Sequence, residues 1–155
     1  MNKKNNNKGF TLVELIVVLV ILAILAAILV PALLGYIDRA KEQQIVLNAR
    51  SVMTAAQAQL TSKYAKEKDP ASKAASFSED DQIMIAKTAD VPETASCVIY
   101  VKGGNAHGNY TLAAMSYTEG EKTVYFDGSS WDAPAIPTTG VTAVTNGSFT
   151  LKQSK

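Results

Sequence analysis

The 155-residue sequence has few of the side chains that build covalent staples and metal sites, with one cysteine, Cys97, and one histidine, His107. One cysteine cannot form an intramolecular disulfide, and one histidine cannot by itself build a histidine-based metal site. Neither charge dominates, because 15 Lys and Arg oppose 14 Asp and Glu. Basic residues form no long run. These shortages exclude disulfide scaffolds and zinc folds, and we expect no nucleic-acid partner.

The sequence is unusually rich in apolar residues near its beginning. Of the 25 residues 10–34, 22 are apolar, and residues 15–30 are apolar without a break. As a helix, 10–34 would be about 37 Å long, enough to cross the core of a bilayer. Lys3, Lys4 and Lys8 precede it without an acid, which predicts a cytoplasmic N-terminus. An ordinary secretory signal peptide cut near Ala26 is the alternative interpretation.

One carboxylate, Glu14, lies four residues into the apolar run. An acid within a membrane costs about 2–3 kcal/mol or more, so it needs a partner. No basic side chain lies between Phe10 and Asp38, but a cut just before Phe10 would create an α-amine one helical turn from Glu14. Alternatively, Glu14 lies at the headgroup level, where an acid near a helix start also suits the helix dipole.

The string around Glu14, Lys-Gly-Phe-Thr-Leu-Val-Glu-Leu at 8–15, resembles the class III signal of type IV pilins and pseudopilins. The resemblance implies a leader, 1–9, that a prepilin peptidase removes between Gly9 and Phe10. It further implies N-methylation of Phe10 and a role for Glu14 in neutralising an N-terminal amine during filament assembly. Pro31 matches a proline that many members of the family carry. Beyond about Arg39 the resemblance is one of layout only.

The resemblance implies a structural subunit and no cofactor, catalytic residue or metal. Its partners are other pilin copies, the prepilin peptidase and the assembly machinery. It is anchored once in the membrane and then exported into a filament that serves motility, adhesion or biofilm formation. A pseudopilin of a secretion or competence system, or a minor tip subunit that acts as a binding module, are the alternatives. An enzyme is the least favoured class, because no nucleophile, base and orienting group can be assembled from these residues.

After the apolar run the sequence predicts that the helix continues to about Tyr64. Apolar residues spaced by three or four form one face of it, and we expect that face to pack on the rest of the chain: Ile45, Ala49, Val52, Ala56, Leu60 and Tyr64. Pro31 and Gly35 predict a kink or local melting, or simply a break between an anchor, 10–34, and a globular domain, 35–155. The polar residues of 51–62 are uncharged, which suits either contact with neighbouring subunits or a weakly polar solvent face.

The globular part is predicted to begin with a surface loop over 65–76 and a short helix capped by Ser78 and ending near Lys87. Strands follow over 97–102, 110–117 and 122–127. A hairpin of 141–145 and 148–152 is predicted around Asn146-Gly147, and it could replace the C-terminal disulfide of many family members. The sequence therefore predicts an α+β fold, with the second half of a long helix on an antiparallel sheet, as in type IV pilins.

Few other residues suggest chemistry. His107 is interpreted as a turn residue and Cys97 as a small buried side chain. Gly103 and Gly108 have the spacing of a phosphate loop, but Asn109 occupies the position of the required lysine, so nucleotide binding is not supported. Asp127 and Asp132 are calcium-ligand candidates, although a turn with a packed Trp131 is favoured. The triplets at 109–111 and 146–148 match a glycosylation signal by composition only.

Overall fold

The computed structural model describes residues 9–131 and 133–154. Its elements, in chain order, are α1 (Leu12–Lys66), α2 (Glu79–Ala89), β1 (Ser96–Val101), β2 (Leu112–Glu119), β3 (Lys122–Phe126) and β4 (Thr142–Thr150), with a 3₁₀ turn at Gly108–Tyr110. The architecture is α+β, as the sequence predicted, and it agrees with a type IV pilin fold. The chain divides into two compact units between Glu42 and Gln43.

The first unit contains the beginning of α1. Its apolar side chains lie largely exposed; Leu12 is 72% exposed and Leu25 is 50% exposed. The helix runs without interruption through Pro31 and Gly35, so the local melting that we predicted there is absent. A bend at these two residues stays a prediction. By length and composition, α1 is apolar enough to cross a membrane.

The second unit is built on a four-stranded antiparallel sheet in the order β3-β2-β1-β4. One face of α1 packs into its core through the predicted stripe, which is buried from Ile45 to Leu60. The last member of the stripe, Tyr64, is more exposed and packs against the rings of His107 and Tyr110 instead. The core contains no charged side chain among the described residues, so packing of helix on sheet rests on apolar burial.

Helix α2 begins where the sequence predicted. Ser78 and Asp81 form a capping box, in which the side chain of each residue accepts a hydrogen bond from the backbone N–H of the other. Partial burial opposes ionisation of Asp81, but hydrogen bonds from Lys63 and Ser78 outweigh it and lower the pKa of the carboxyl. The Lys63 ammonium lies 2.7 Å from Asp81, so this carboxylate also ties α2 to α1.

The loop between α1 and α2 was predicted to lie on the surface, but two of its last residues are buried. Ala75 and Phe77 are buried, and Phe77 packs edge-on against Phe149. The backbone of this segment pairs with β4: the Phe77 N–H donates to the carbonyl of Thr145, and the Thr145 N–H donates to the carbonyl of Ala75. The outer edge of β4 is therefore partly covered.

The predicted C-terminal hairpin is wrong. Residues 142–150 form the single strand β4, which pairs with β1 through Ser148 opposite Val98 and through Ala143 opposite Tyr100. The register shifts between these pairs, and Asn146 takes a positive φ of 56° at the irregularity. Asn146-Gly147 therefore forms a bulge instead of a turn, because pairing with β1 outweighs the local turn preference.

One strand also begins later than predicted. Tyr110 was expected to open a strand, but it closes the 3₁₀ turn and β2 begins at Leu112. The expected hairpin therefore does not stand in for a disulfide after β4. Instead, the Leu151 N–H donates to the carbonyl of Ala95, and the Leu151 side chain is fully buried. Burial of one leucine and one backbone hydrogen bond thus hold the chain end against the segment before β1.

Candidate functional site: the N-terminal segment

The candidate processing site lies just before α1. Gly9, Phe10 and Thr11 are not helical, and the Phe10 side chain is 83% exposed. No atom lies within 4 Å of the position that a Cβ would take at Gly9. The bond between Gly9 and Phe10 therefore lies in an exposed stretch outside the helix, where a protease could reach it. The rest of the predicted leader, 1–8, lies outside the described residues.

Glu14 lies in the first turn of α1, and its carboxylate turns back to the chain that precedes it. Its Oε2 accepts hydrogen bonds from the Thr11 N–H and from the Thr11 hydroxyl, each at 2.8 Å. The Glu14 N–H donates to the same hydroxyl at 3.3 Å. This arrangement is a capping box, and it fixes the start of the helix immediately after Thr11.

Sequence reasoning missed Thr11. The partners expected for Glu14 were an α-amine or a headgroup environment, although the spacing Thr-x-x-Glu before an apolar run is itself a helix-start signal. The structure shows the uncut chain, in which Phe10 has an amide nitrogen and not an amine. Pairing of Glu14 with an amine is therefore not tested by this geometry.

The apolar surface beyond Glu14 provides the physical means of association. Side chains around the whole circumference of the helix are at least half exposed over this stretch, among them Ile16, Val17, Leu19 and Leu22. A helix that is apolar all round is stable only in lipid or against other apolar helices. Since the first unit does not bury these side chains itself, the segment needs an external apolar environment.

Cys97 and His107, the two other residues with reactive side chains that the sequence singled out, both make structural contacts. Cys97 is buried in β1, and burial raises the pKa of its thiol to about 12, so it is a poor nucleophile. His107 lies in the turn before the 3₁₀ segment, with its ring edge-on to Tyr64. Both interpretations made from the sequence are confirmed.

The turn after β3 is stabilised by hydrogen bonds to the side chain of Asp127. One carboxylate oxygen of Asp127 accepts from the N–H groups of Ser129 and Ser130, each at 2.8 Å. These two hydrogen bonds lower the pKa of the Asp127 carboxyl, and the bond from Ser130 has the larger effect. Trp131 packs against Phe126, as expected for a turn with a packed aromatic. Asp132 lies outside the described residues, and no group of three or more His, Cys, Asp or Glu suited to a metal occurs among those described.

The two asparagines of the glycosylation triplets also make contacts within the chain. The Asn109 amide donates to the carbonyl of Pro70 at 3.2 Å and so ties the loop after α1 to the 3₁₀ turn. Asn146 lies at the bulge of β4, and its amide donates to the carbonyl of Phe77 at 3.4 Å. Both amides therefore have structural roles in the second unit.

Two further polar clusters join α1 to the sheet, and no sequence pattern predicts either. Gln57 donates to the carbonyl of Tyr110 at 3.1 Å and accepts from the Leu112 N–H at 2.8 Å. Asn48 and Tyr117 both donate to Oε2 of Glu119, at 2.8 and 2.7 Å. Gln57 and Asn48 each bind residues more than 50 positions away along the chain, which no local pattern can reveal.

Comparison with known families finds one match. The family model of the prokaryotic N-terminal methylation motif matches residues 4–30. This match covers Gly9, Phe10 and Glu14 and the larger part of the apolar run, but none of the second unit. Neither a search of curated proteins nor a search of solved structures returned a match.

Proposed function

We propose that this chain, a type IV pilin-like protein with a class III signal peptide, is a structural subunit of an extracellular type IV pilus. The observation that carries the proposal is the methylation motif joined directly to an exposed apolar helix. The motif belongs to structural subunits rather than to an enzyme family. It implies processing by a prepilin peptidase and assembly into a pilus-like polymer.

The motif supports the roles that we propose for Gly9, Phe10 and Glu14. Prepilin peptidase cuts between Gly9 and Phe10, and Phe10 becomes the methylated N-terminal residue. Glu14 pairs with an α-amine during assembly, which compensates a carboxylate that lies in an apolar environment. Pro31 and Gly35 supply a kink. Residues 10–34 anchor the subunit and form the filament core, and 35–155 form the globular domain.

Burial of apolar surface drives the polymerisation. The motif and the apolar helix fit a membrane anchor before assembly. Leaving the bilayer for water would expose about 20 apolar side chains, at a cost on the order of 30 kcal/mol. Packing against the same segment of other copies avoids that cost. The filament core thus replaces lipid as the environment of this helix.

Cleavage also changes the charge of the subunit. The leader contains three lysines and no acid, so its removal leaves 12 basic and 14 acidic side chains and a side-chain net charge of −2. Loss of the three lysines removes the charges that hold the N-terminus at the cytoplasmic side. A cleaved subunit is therefore free to be drawn out of the membrane by the assembly machinery.

The proposal is tested on sheared surface filaments. Electron microscopy with mass spectrometry should identify this subunit as the main component, with a methylated Phe10 as its first residue. A pseudopilin or a tip subunit would be scarce in the same preparation. A mature chain that begins at Met1 or near Ala27 would contradict the pilin function itself.

A second test isolates the carboxylate. Glu14→Ala should be cleaved normally, because the scissile bond lies outside the helix, but it should form few or no filaments. The measurement combines the mass of the processed subunit with filament counts by electron microscopy. Glu14→Asp, which keeps the charge on a shorter side chain, is the matched variant. Normal piliation of Glu14→Ala would show that the charge pairing is unimportant.

A further inference from the structure

The two oxygens of the Glu14 carboxylate have different surroundings. Both hydrogen bonds from Thr11, from its N–H and from its hydroxyl, end on Oε2 at 2.8 Å. Oε1 takes part in neither bond. The side chain is thus fixed through one oxygen while the other is left for a further donor.

Within the apolar run no side chain competes for this role. The first basic residue after Phe10 is Arg39, more than six helical turns beyond Glu14. Bonds to a charged group are shorter and roughly twice as strong as neutral ones, so two donors from Thr11 hold this carboxylate firmly in an apolar medium. Thr11 also directly follows Phe10, the residue that bears the α-amine after cleavage.

We propose that Thr11 is a positioning residue for assembly, which holds Oε2 of Glu14 so that Oε1 is presented to an α-amine. This inference rests on the proposed function and adds a residue to it. Thr11 acts before and during assembly. Its two donors bind one of the two carboxylate oxygens of Glu14 in the lipid-embedded subunit, and they fix the rotamer of the Glu14 side chain. An arriving amine then meets an ordered acceptor, and no rotamer search slows the pairing.

A simpler role for Thr11 would be to cap the helix. Its hydroxyl accepts from the Glu14 N–H, as any N-cap side chain does. The two roles need different chemistry, because capping needs only an acceptor, whereas holding the carboxylate also needs an O–H donor. Serine supplies both, aspartate supplies only the acceptor and repels Glu14, and valine supplies neither.

The first experiment measures the contact itself on the uncleaved, full-length chain in detergent micelles. The Thr11 amide should exchange its hydrogen at least about tenfold more slowly in the wild type than in Glu14→Ala, because the carboxylate accepts from it. Equal exchange rates would overturn the proposal. This result does not depend on filament formation, so it stands even if the chain is not a pilus subunit.

The second experiment compares filament growth in Thr11→Ser, Thr11→Val and Thr11→Asp, with cleavage monitored by mass. We expect normal cleavage in all three, growth at the wild-type rate for serine, and growth about tenfold slower or worse for valine and aspartate. Wild-type growth of the aspartate variant would reduce Thr11 to a helix cap and overturn the proposal. So would wild-type growth of the valine variant. Absence of filaments from a processed wild type would instead contradict the proposed function.

Discussion

At the scale of single residues, Gln57 shows how an uncharged helix face is joined to a sheet. Its amide group satisfies the Tyr110 carbonyl and the Leu112 N–H, which flank the start of β2. Tyr110 precedes β2 and Leu112 is its first residue, so both backbone groups lie at the end of the strand ladder and a side chain serves as their partner. The absence of charge on 51–62, which we noted as compatible with subunit contacts, therefore also serves packing within the second unit.

Gln57→Ala is expected to lower the free energy of unfolding by about 1–3 kcal/mol, because it leaves two part-buried backbone groups without their partner. Urea unfolding of the full-length chain in detergent micelles measures this change. Gln59→Ala is the matched control, since Gln59 makes no side-chain hydrogen bond within the described part of the chain. Equal effects of the two substitutions would contradict the role of Gln57.

Cys97 gives a prediction about alkaline pH. Burial raises the pKa of its thiol to about 12, whereas the unfolded chain releases this proton from about pH 9. Above pH 9 the folded state therefore binds more protons, and the free energy of unfolding falls as pH rises.

The Cys97→Ala variant should lose this part of the pH dependence. Between pH 8 and pH 10 its free energy of unfolding should fall by about 1 kcal/mol less than that of the wild type, measured by urea unfolding in micelles. Burial also raises the pKa of Tyr117, but that tyrosine is present in both proteins and cancels in the comparison. Identical pH profiles would show that the thiol does not contribute.

At the scale of elements, β4 depends on a glycine at its bulge. A Cβ at Gly147 would lie 2.8 Å from Cβ of Val144 and 3.1 Å from the carbonyl oxygen of Ile99. The φ of Gly147 is not the constraint, since the positive φ falls on the preceding Asn146. Gly147 therefore lies too close to Val144 in its own strand and to Ile99 in β1 to carry a side chain without a shift of the backbone.

Gly147→Ala is expected to destabilise the chain by about 1–3 kcal/mol through this clash. Thermal unfolding followed by circular dichroism in micelles measures the loss. Ser148→Ala, an exposed position in the same strand, should change stability by no more than about 0.5 kcal/mol. A harmless Gly147→Ala would mean that the strand can move away from β1 without cost.

At the scale of the whole molecule, we propose that the chain passes through two chemical forms. In this proposal the precursor carries a basic leader that directs its orientation in the membrane, and the mature subunit is slightly acidic with an α-amine beside Thr11. The proposed change from one form to the other depends on cleavage of one bond, between Gly9 and Phe10, which lies before the start of α1.

A bulky residue at position 9 should block this change. Gly9→Leu places a side chain at the cut, where we propose that the peptidase grips an extended backbone, so the chain should keep its full-length mass and remain in the membrane fraction. Mass spectrometry of membranes and of sheared filaments checks both points. Gly35→Ala, which adds a methyl group within α1 where no atom lies within 4 Å, should be processed normally. Efficient processing of Gly9→Leu would contradict the assigned cleavage site.

The sequence by itself determined the features that depend on neighbours along the chain. The apolar run, the methylation motif, the amphipathic stripe from Ile45 to Leu60 and the cap at Ser78 were all read correctly, because helix periodicity and capping act within a few residues. The capping box of Thr11 and Glu14 also has a local signal, the spacing Thr-x-x-Glu before an apolar run.

Only the tertiary structure decided the features that depend on distant partners. Asn146-Gly147 favours a hairpin locally, yet pairing with β1 on one side and with 75–77 on the other makes it a bulge in a continuous strand. The contacts of Gln57, and of Asn48 with Glu119, likewise join residues that lie more than 50 positions apart. Such pairings depend on which surfaces the folded chain brings together, and no window of sequence contains that information.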